Sequence, residues 1–412
     1  MSGTGTLANQ GTVTLLNVPV GLAVANDGVL QVRGTTALNG ALANNRAGEF
    51  RVEASSVNAA VTTASGWTNY GSVVLTHAGG GGGQTATLTV NGTLVNDTGA
   101  VVRSEAGIGG GPRTLAAALD NRGLVDVQTP LTVNQASAAH VNSGTVAVTG
   151  GNLTVTQTGT APSLTSTGTI TVSAGRTLTI TGGAWATGGS VLNGAGAVAL
   201  TNVAWDLGAG YTVDSLVVSA STGSVSGTGT LTNRSDVTLL SVPVGVGVAN
   251  VGTLRLRGPT ALNGAVANAA GAELRVEATS VNAAVTTAGG WTNYGTVRLT
   301  HAGGGGGQSA QLTIPGTLVN DTGAVLLVEP GVGGGPRALS GALVNRGLVQ
   351  VQTALTLARF RMFHELGYRR AVCYIEEKNA PSLAVWQRKF AGQTIGRIDF
   401  IRLGLWYRVR DY

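Results

Sequence analysis

Two runs of five glycines, 79–83 and 303–307, have the composition of loops that could approach a ligand closely. A phosphate-binding loop ends in Gly-Lys-Ser or Gly-Lys-Thr, because the lysine and the hydroxyl hold phosphate and magnesium. A glutamine follows each run here, so the runs are predicted to be loops that bulge from the surface. His77 and His301 precede them and are expected at the surface, too far apart to share a metal ion. No metal site is predicted.

Three acidic residues are the next candidates, because glycosidases work with a pair of carboxylates. Asp97, Asp120 and Asp126 are predicted to lie on neighbouring coils and could meet on one face. The second copy of the sequence has Val344 and Gln350 in place of Asp120 and Asp126. The aspartates are therefore interpreted mainly as turn and solvent-facing residues, and no catalytic residue is assigned. A carbohydrate-binding or carbohydrate-active protein stays open as an alternative function.

Two tryptophans, Trp67 and Trp291, occur in identical GWTNYG segments. An exposed tryptophan can stack on a sugar ring or on a partner protein, and these two are the candidates for such a face. The other interpretation is that each ring packs inside the protein at the corner of a coil.

Composition limits the elements that could position these side chains. Of the 412 residues, 65 are glycine, 11% are charged and 4% are aromatic, whereas about a quarter of the residues are charged in an ordinary globular domain. Valine, leucine and threonine segments separated by glycine and asparagine predict an all-β chain. The formal net charge is +6, but all of it comes from residue 359 onward. A neutral remainder argues against a nucleic-acid partner.

A large internal duplication organises the sequence. Residues 2–133 align without a gap with residues 226–357 at an offset of 224. Residues 134–225 keep the same strand and turn pattern and are predicted to be linking coils. Together, residues 1–358 are expected to form one repeat array.

A shorter repeat, in which an apolar residue precedes Asn-x-Gly and alternating apolar residues follow, sets the predicted fold. The asparagines recur at Asn9, Asn26, Asn44, Asn69, Asn96, Asn121, Asn142, Asn233, Asn250, Asn268, Asn293, Asn320 and Asn345. Asparagine and glycine tolerate left-handed dihedrals, so each pair is expected to turn the chain. Stacked coils would bury the strands' inner faces and form an asparagine ladder. The prediction is a right-handed parallel β-helix, or β-solenoid, with a small C-terminal α/β segment.

Residues 1–358 resemble the β-helix repeats of bacterial adhesins and autotransporter passengers. This resemblance implies a non-enzymatic structural or adhesin-like rod, with carbohydrate or other surface proteins as its partners. A secreted or cell-surface location is favoured, although the N-terminal residues lack the pattern of a signal peptide. No apolar run is long enough for a membrane-spanning helix.

Residues 359–412 differ in composition, with arginines, aromatics and the single Cys373. The segments EKNAPSLAVWQRK and GQTIGRIDF resemble the C-terminal half of GNAT-family N-acetyltransferases. The resemblance implies that Asn379 and Ser382 would lie beside acetyl-CoA, which is the one cofactor considered. The glycine loop that holds the pyrophosphate in that family is missing, and Trp386 stands where many relatives have a tyrosine acid. An inactive remnant is therefore predicted, with an active acetyltransferase as the alternative. End-to-end or tail-completing self-association is a further expectation.

Overall fold

The computed structural model describes residues 1–79, 82–303 and 306–357, together with two short strands near the C-terminus. The chain divides into two compact units, Met1–Arg361 and Met362–Tyr412. The second unit contains the described antiparallel pair β42 (Gly396–Ile398) and β43 (Val409–Asp411). The first unit is an all-β parallel solenoid, as predicted, and no helix occurs among its described residues. No described segment could therefore cross a membrane as a helix.

Each turn of the solenoid has three strand positions, which we call faces I, II and III in chain order. Face I contains β1 (Thr6–Asn9), β3 (Ala23–Asn26), β6 (Leu42–Asn44), β9 (Trp67–Asn69), β16 (Ala139–Asn142), β19 (Ser163–Ser166), β22 (Ala184–Ala186), β31 (Pro259–Leu262), β34 (Ala283–Thr287) and β41 (Leu355–Leu357). Face II contains β2 (Thr12–Leu16), β4 (Val29–Arg33), β7 (Glu49–Ala54), β10 (Ser72–His77), β12 (Val101–Ser104), β14 (Leu124–Val127), β17 (Thr145–Val148), β20 (Thr169–Val172), β23 (Val191–Asn193), β25 (Tyr211–Val213), β27 (Thr230–Asn233), β29 (Gly247–Asn250), β32 (Val266–Asn268) and β35 (Trp291–Asn293).

Face III contains β5 (Thr35–Leu38), β8 (Ala59–Thr63), β15 (Leu131–Val133), β18 (Leu153–Thr156), β21 (Thr177–Thr181), β28 (Asp236–Leu240), β30 (Thr253–Arg257), β33 (Glu273–Ala278), β36 (Thr296–His301), β38 (Val325–Val328) and β40 (Leu348–Val351). Six longer strands turn a corner. From face III to face I run β11 (Ala86–Asn96), β13 (Arg113–Asn121), β24 (Ala197–Asp206) and β26 (Val217–Ser226). From face I to face II run β37 (Ala310–Asn320) and β39 (Arg337–Asn345).

The core follows from the two-residue alternation of the strands. In β4, for example, Leu30 and Val32 are fully buried while their neighbours face outward. Valine, leucine and alanine fill most of the narrow interior, as the low aromatic content predicts. The larger core residues are concentrated at a few levels, including the stacked rings of Trp185 and Trp205, whose centroids are 5.8 Å apart.

The predicted asparagine ladder is present. In the first ladder, which starts in the first copy and reaches the linking coils, each side-chain amide donates to the side-chain oxygen of the next asparagine, from Asn9 to Asn142, over distances of 2.6–2.9 Å. The last amide donates to Ser166 Oγ at 3.1 Å. A second ladder joins Asn233 to Asn345 with distances of 2.7–2.9 Å. These buried amides satisfy one another and tie successive corners together.

The expected backbone conformation at these corners was wrong. Neither the ladder asparagines nor the glycine of the Asn-x-Gly corners has a positive φ. Glycine is needed because stacked corners approach closely: a Cβ on Gly28 would lie 2.1 Å from the carbonyl oxygen of Gly11. Left-handed glycines occur at corners where two residues, not one, stand between the asparagine and the glycine. Gly99 (φ 83°) and Gly323 (φ 81°) are examples.

The two copies of the duplicated sequence are rotated relative to each other about the solenoid axis. On face I, ten successive pairings lead through β1, β3, β6, β9, β11, β13, β16, β19, β22, β24 and β26. The counterpart of β1 in the second copy is β27, which lies one face further, on face II. The offset of 224 residues therefore spans ten turns and one third, and equivalent residues point about a third of a turn apart.

Candidate functional site: a ridge of stacked glycine loops

Three consecutive turns stack their loops at one corner of the solenoid, and we call this corner the loop ridge. In the first copy it comprises loops 55–58, 78–85 and 105–112, between faces II and III. In the second copy it comprises loops 279–282, 302–309 and 329–336, between faces III and I. Residues 80, 81, 304 and 305 of the glycine runs lie outside the described structure. The placement of both runs between strands agrees with the sequence prediction.

A buried arginine holds the third loop of the ridge. Arg113 is 1% exposed, and its guanidinium donates hydrogen bonds to four backbone carbonyls of the loop. Nε reaches the oxygen of Glu105 at 3.1 Å, Nη2 reaches those of Ala106 at 2.8 Å and Gly109 at 3.2 Å, and Nη1 reaches that of Gly111. Burial lowers the pKa of the guanidinium, an effect that the charge of Glu105 opposes. The loop backbone thus wraps around a cation and is fixed by it.

The second copy repeats this arrangement. Arg337 is fully buried and donates to the carbonyl oxygens of Glu329, Pro330, Gly333 and Gly335. Sequence reasoning missed both arginines as positioning residues. The signal in the sequence was that both copies of the third loop end in GGGPR. An arginine repeated at that place is notable because the described part of the solenoid contains few cations.

A buried histidine holds the middle loop. His77, expected at the surface, is 1% exposed, and both nitrogens of its ring bond to described residues of the loop. Nδ1 accepts a hydrogen bond from the Gly79 amide at 3.2 Å, so Nε2 carries the proton and donates to Gln84 Oε1 at 3.0 Å. In the second copy His301 is equally buried, and its Nε2 lies 3.2 Å from Gln308 Oε1. Both histidines are loop supports.

Glycine allows these loops to stack directly on one another. A Cβ on Gly111 would lie 1.8 Å from the carbonyl oxygen of Gln84, and one on Gly107 would lie 2.0 Å from that of His77. Among the described residues, the outer side of each stack presents two large apolar residues. Val57 and Val281 in the first loops are 43% and 42% exposed, and the third loops carry the more exposed ones. Ile108 is 76% exposed, and its counterpart Val332 is 75% exposed. The ridge therefore holds an apolar side chain away from the body on a fixed backbone.

Charged residues beside the ridge form one network of ion pairs, in which two guanidinium groups face three carboxylates. Glu53 is 2% exposed and forms ion pairs with Arg33 and Arg51. Arg51 also pairs with Glu49 and Glu105 at 2.6 and 3.1 Å. Burial by itself would lower the pKa of Arg51, but its hydrogen bonds to Glu49 and Glu53 outweigh burial and raise it. This network contributes fixed geometry and leaves no carboxylate of the cluster unpaired.

Rotation between the copies places the two ridges on different sides of the solenoid. Ten and one-third turns at a strand spacing of ~4.8 Å separate them by about 50 Å along the axis. A partner that lies along one face therefore meets one ridge and not its copy.

The structure places the two candidate tryptophans in the core. Trp67 lies on face I and Trp291 on face II, and each is 7% exposed. The Trp67 ring packs edge-on against Phe50, with 5.7 Å between centroids. This arrangement corresponds to the packing interpretation. The exposed aromatic residues of the two GWTNYG segments are Tyr70 and Tyr294, 45% and 51% exposed.

Two of the three candidate carboxylates lie on different faces, and the third, Asp97, lies at the corner after β11, where its charge acts with that of Asp120 on Arg122. Asp120 lies on face I and pairs with Arg122 at 2.6 Å, whereas Asp126 lies on face II and pairs with Arg103 at 3.1 Å. The expectation that all three could meet on one face is wrong, because the corner at Asn121 separates Asp126 from Asp120. Within the described parts of the chain, no group of three or more metal-binding side chains is placed to hold an ion. Asn379 and Ser382 lie outside the described residues, so the acetyltransferase resemblance stays a prediction.

Comparisons with known proteins identified no relative of this chain. No protein-family model, curated protein or solved structure matches this chain. The fold itself defines its class, which is that of the parallel β-solenoid proteins.

Proposed function

We propose that this chain is a non-enzymatic, adhesin-like rod that binds surface proteins through its loop ridges. The single observation that carries the proposal is the duplicated loop held by Arg113 and Arg337. Burying a cation costs desolvation free energy even when four carbonyls surround it, and an ordinary surface loop does not need such an arrangement. It keeps Ile108 and Val332 exposed on a rigid backbone, and rigid apolar anchors contribute most where proteins associate.

The remainder of the rod supports this role mechanically. The asparagine ladders and the continuous parallel pairing make each turn a template for the next. Such an array keeps the two ridges at a fixed separation and at a fixed angle to each other. A rod that presents two binding surfaces to its partners needs both the fixed separation and the fixed angle.

The experiment replaces both tips by a charge. The 412-residue chain and the double variant Ile108→Asp/Val332→Asp are applied to surfaces coated with extracellular-matrix proteins. Val251→Asp is the matched control, because Val251 is 49% exposed and lies outside the ridges. We expect the unmodified chain to bind at least one coating, with binding reduced about tenfold, or 1.4 kcal/mol, in the double variant and unchanged in the control. Binding that is insensitive to the tips, or no binding to any coating, would contradict the proposal.

Carbohydrate binding is a second candidate because Tyr70 and Tyr294 expose their rings at equivalent positions. Tyrosine rings stack on sugars and donate a hydroxyl at their edge. A glycan array probed with the Tyr70→Ala/Tyr294→Ala variant tests this candidate. We expect signals on neutral glycans that disappear in the variant, and signals that persist would rule the tyrosines out.

A further inference from the structure

Face III of the first copy and the adjoining linking coils have an unusually uniform outer surface. From β5 through β8, β11, β13, β15, β18 and β21 to β24, every outward-facing strand residue on this face is threonine or alanine. We call these residues the threonine face. Two charged residues border it: Arg33 ends β4, two residues before β5, and Arg176 lies at the corner before β21. The next charged strand residue on the same face is Asp236 of β28.

The threonines stand in columns along the solenoid axis. Thr87, Thr114, Thr132, Thr154 and Thr179 are consecutive partners in five neighbouring strands. A second column runs through Thr156, Thr181 and Thr201. Along a strand the outward residues repeat every ~6.6 Å, and across strands every ~4.8 Å. The surface is therefore a two-dimensional lattice of hydroxyl and methyl groups.

This lattice is rigid before anything binds. Threonine is branched at Cβ, so few χ1 rotamers are populated, and the parallel pairing fixes the backbone beneath it. Holding ligand groups on such a surface costs little side-chain entropy. Eight strands give a length of about 34 Å, which is seven intervals of ~4.8 Å.

The chemistry of the face selects its occupant. It carries no charge, so it does not suit a polyanion, and it carries no aromatic ring on which a sugar could stack. Threonine methyls offer too little apolar area to drive tight association with another protein. Hydroxyls at a regular spacing can anchor ordered water, and the strand spacing of ~4.8 Å lies within a few tenths of an ångström of the short repeat of hexagonal ice. We propose that the threonine face binds the surface of crystalline ice.

The proposal concerns a different surface from the loop ridges and stands independently of the adhesin-like role. Its test uses the full 412-residue chain and slowly grown polycrystalline ice as the probe. Thr154→Lys places a charged, longer side chain in the middle of the main column, where the native side chain faces outward and contributes nothing to the core. Thr171→Lys is the matched control, because Thr171 also faces outward from a linking coil but lies on face II.

Ice growth separates bound from excluded protein, and the readout is the ratio of protein concentration in the ice to that in the remaining liquid. We expect enrichment of the unmodified chain in ice, a reduction of about tenfold in Thr154→Lys, and no change in Thr171→Lys. Exclusion of the unmodified chain from ice would overturn the proposal, as would equal enrichment of all three proteins. Sedimentation is measured in parallel. A dimer that Thr154→Lys dissociates would assign the face to a second copy of the chain and also overturn the proposal.

Discussion

Asn121 and Asn345 occupy equivalent positions in the two copies but have different hydrogen-bond surroundings. Asn121 is fully buried within its ladder: it accepts from Asn96 at 2.8 Å and donates to Asn142 at 2.7 Å and to the Thr145 carbonyl at 3.0 Å. Asn345 is exposed at the last step of its ladder. Replacing each by alanine therefore compares one side chain in two settings with almost the same local sequence.

The structure sets the size of the difference. Asn121→Ala leaves the Asn142 side-chain oxygen without its donor inside the core, which costs about 2 kcal/mol, and it removes two further hydrogen bonds worth about 1 kcal/mol each. The total is about 4 kcal/mol. In Asn345→Ala, the Asn320 amide keeps its bond to the Leu348 carbonyl at 3.1 Å. The two bonds lost there are exposed or partly exposed, so we expect a cost of about 1 kcal/mol.

Amide hydrogen exchange is the appropriate assay, because a long repeat array does not unfold as one cooperative unit. We expect Asn121→Ala to accelerate exchange in β14 and β17 by roughly a thousandfold, and Asn345→Ala to accelerate exchange in β40 by about fivefold. Equal acceleration in both variants would refute the reasoning, since the ladder would then contribute no more when buried than when exposed. An increase below about threefold in Asn121→Ala, well under 1 kcal/mol, would do the same.

Three other predictions rest on single side chains. Arg113→Met should destabilise loop 105–112 by on the order of 3 kcal/mol, because four carbonyls lose their donor, and should speed the cleavage of this loop by subtilisin. Arg113→Lys should be cleaved at an intermediate rate. Cleavage of Arg113→Met no faster than that of the unmodified chain would contradict the role of Arg113 in holding the loop. His140 lines a small cavity of about 40 Å³ whose other lining residues are uncharged, and burial lowers the pKa of its imidazole to about 4. Below pH 6.5 the unfolded chain binds a proton at this histidine and the folded chain does not, so the free energy of unfolding should fall by about 3 kcal/mol between pH 6.5 and pH 4. Amide exchange in β16 and β19, corrected for intrinsic rates, measures this fall. The His140→Gln variant should lose the pH dependence, and an unchanged profile in the variant would show that His140 is not its source. Gly28→Ala should destabilise the first turns by about 2 kcal/mol, since its Cβ would meet the Gly11 carbonyl, whereas Gly11→Ala, with open space around it, should stay within about 0.5 kcal/mol. Equal rates of amide exchange in β2 and β4 of the two variants would refute the close-approach explanation.

The strand class and the asparagine ladder could be predicted because both depend on local periodicity. Alternating apolar residues after each asparagine have one stable arrangement when coils stack, and the side chains of Asn9 to Asn142 then follow in register. The right-handed sense stays a prediction. Backbone dihedrals at the corners could not be predicted, because Gly28 is constrained by the neighbouring turn and not by its own φ.

The candidate site was only partly accessible from the sequence. Its glycine runs were recognised as loops, but the histidine and arginine that hold them were not. Whether Arg113 is exposed or enclosed depends on four carbonyls that the loop directs inward after folding, and the sequence has no periodicity that reports this. The same applies to Trp67, because a tryptophan at a corner can face either side of the strand.

The sequence by itself determined the repeat, the strand pattern and the register of each turn on the next, since these depend on residue spacing within one coil. Tertiary structure alone decided which residues share a side of the rod. The duplication appears in the sequence as a translation by 224 residues, but it spans ten turns and one third. Equivalent loops therefore point in different directions, whereas the threonines of eight different turns lie on one face. The physical reason is that the coils differ in length, so the direction of a residue about the solenoid axis depends on the summed length of all the coils before it.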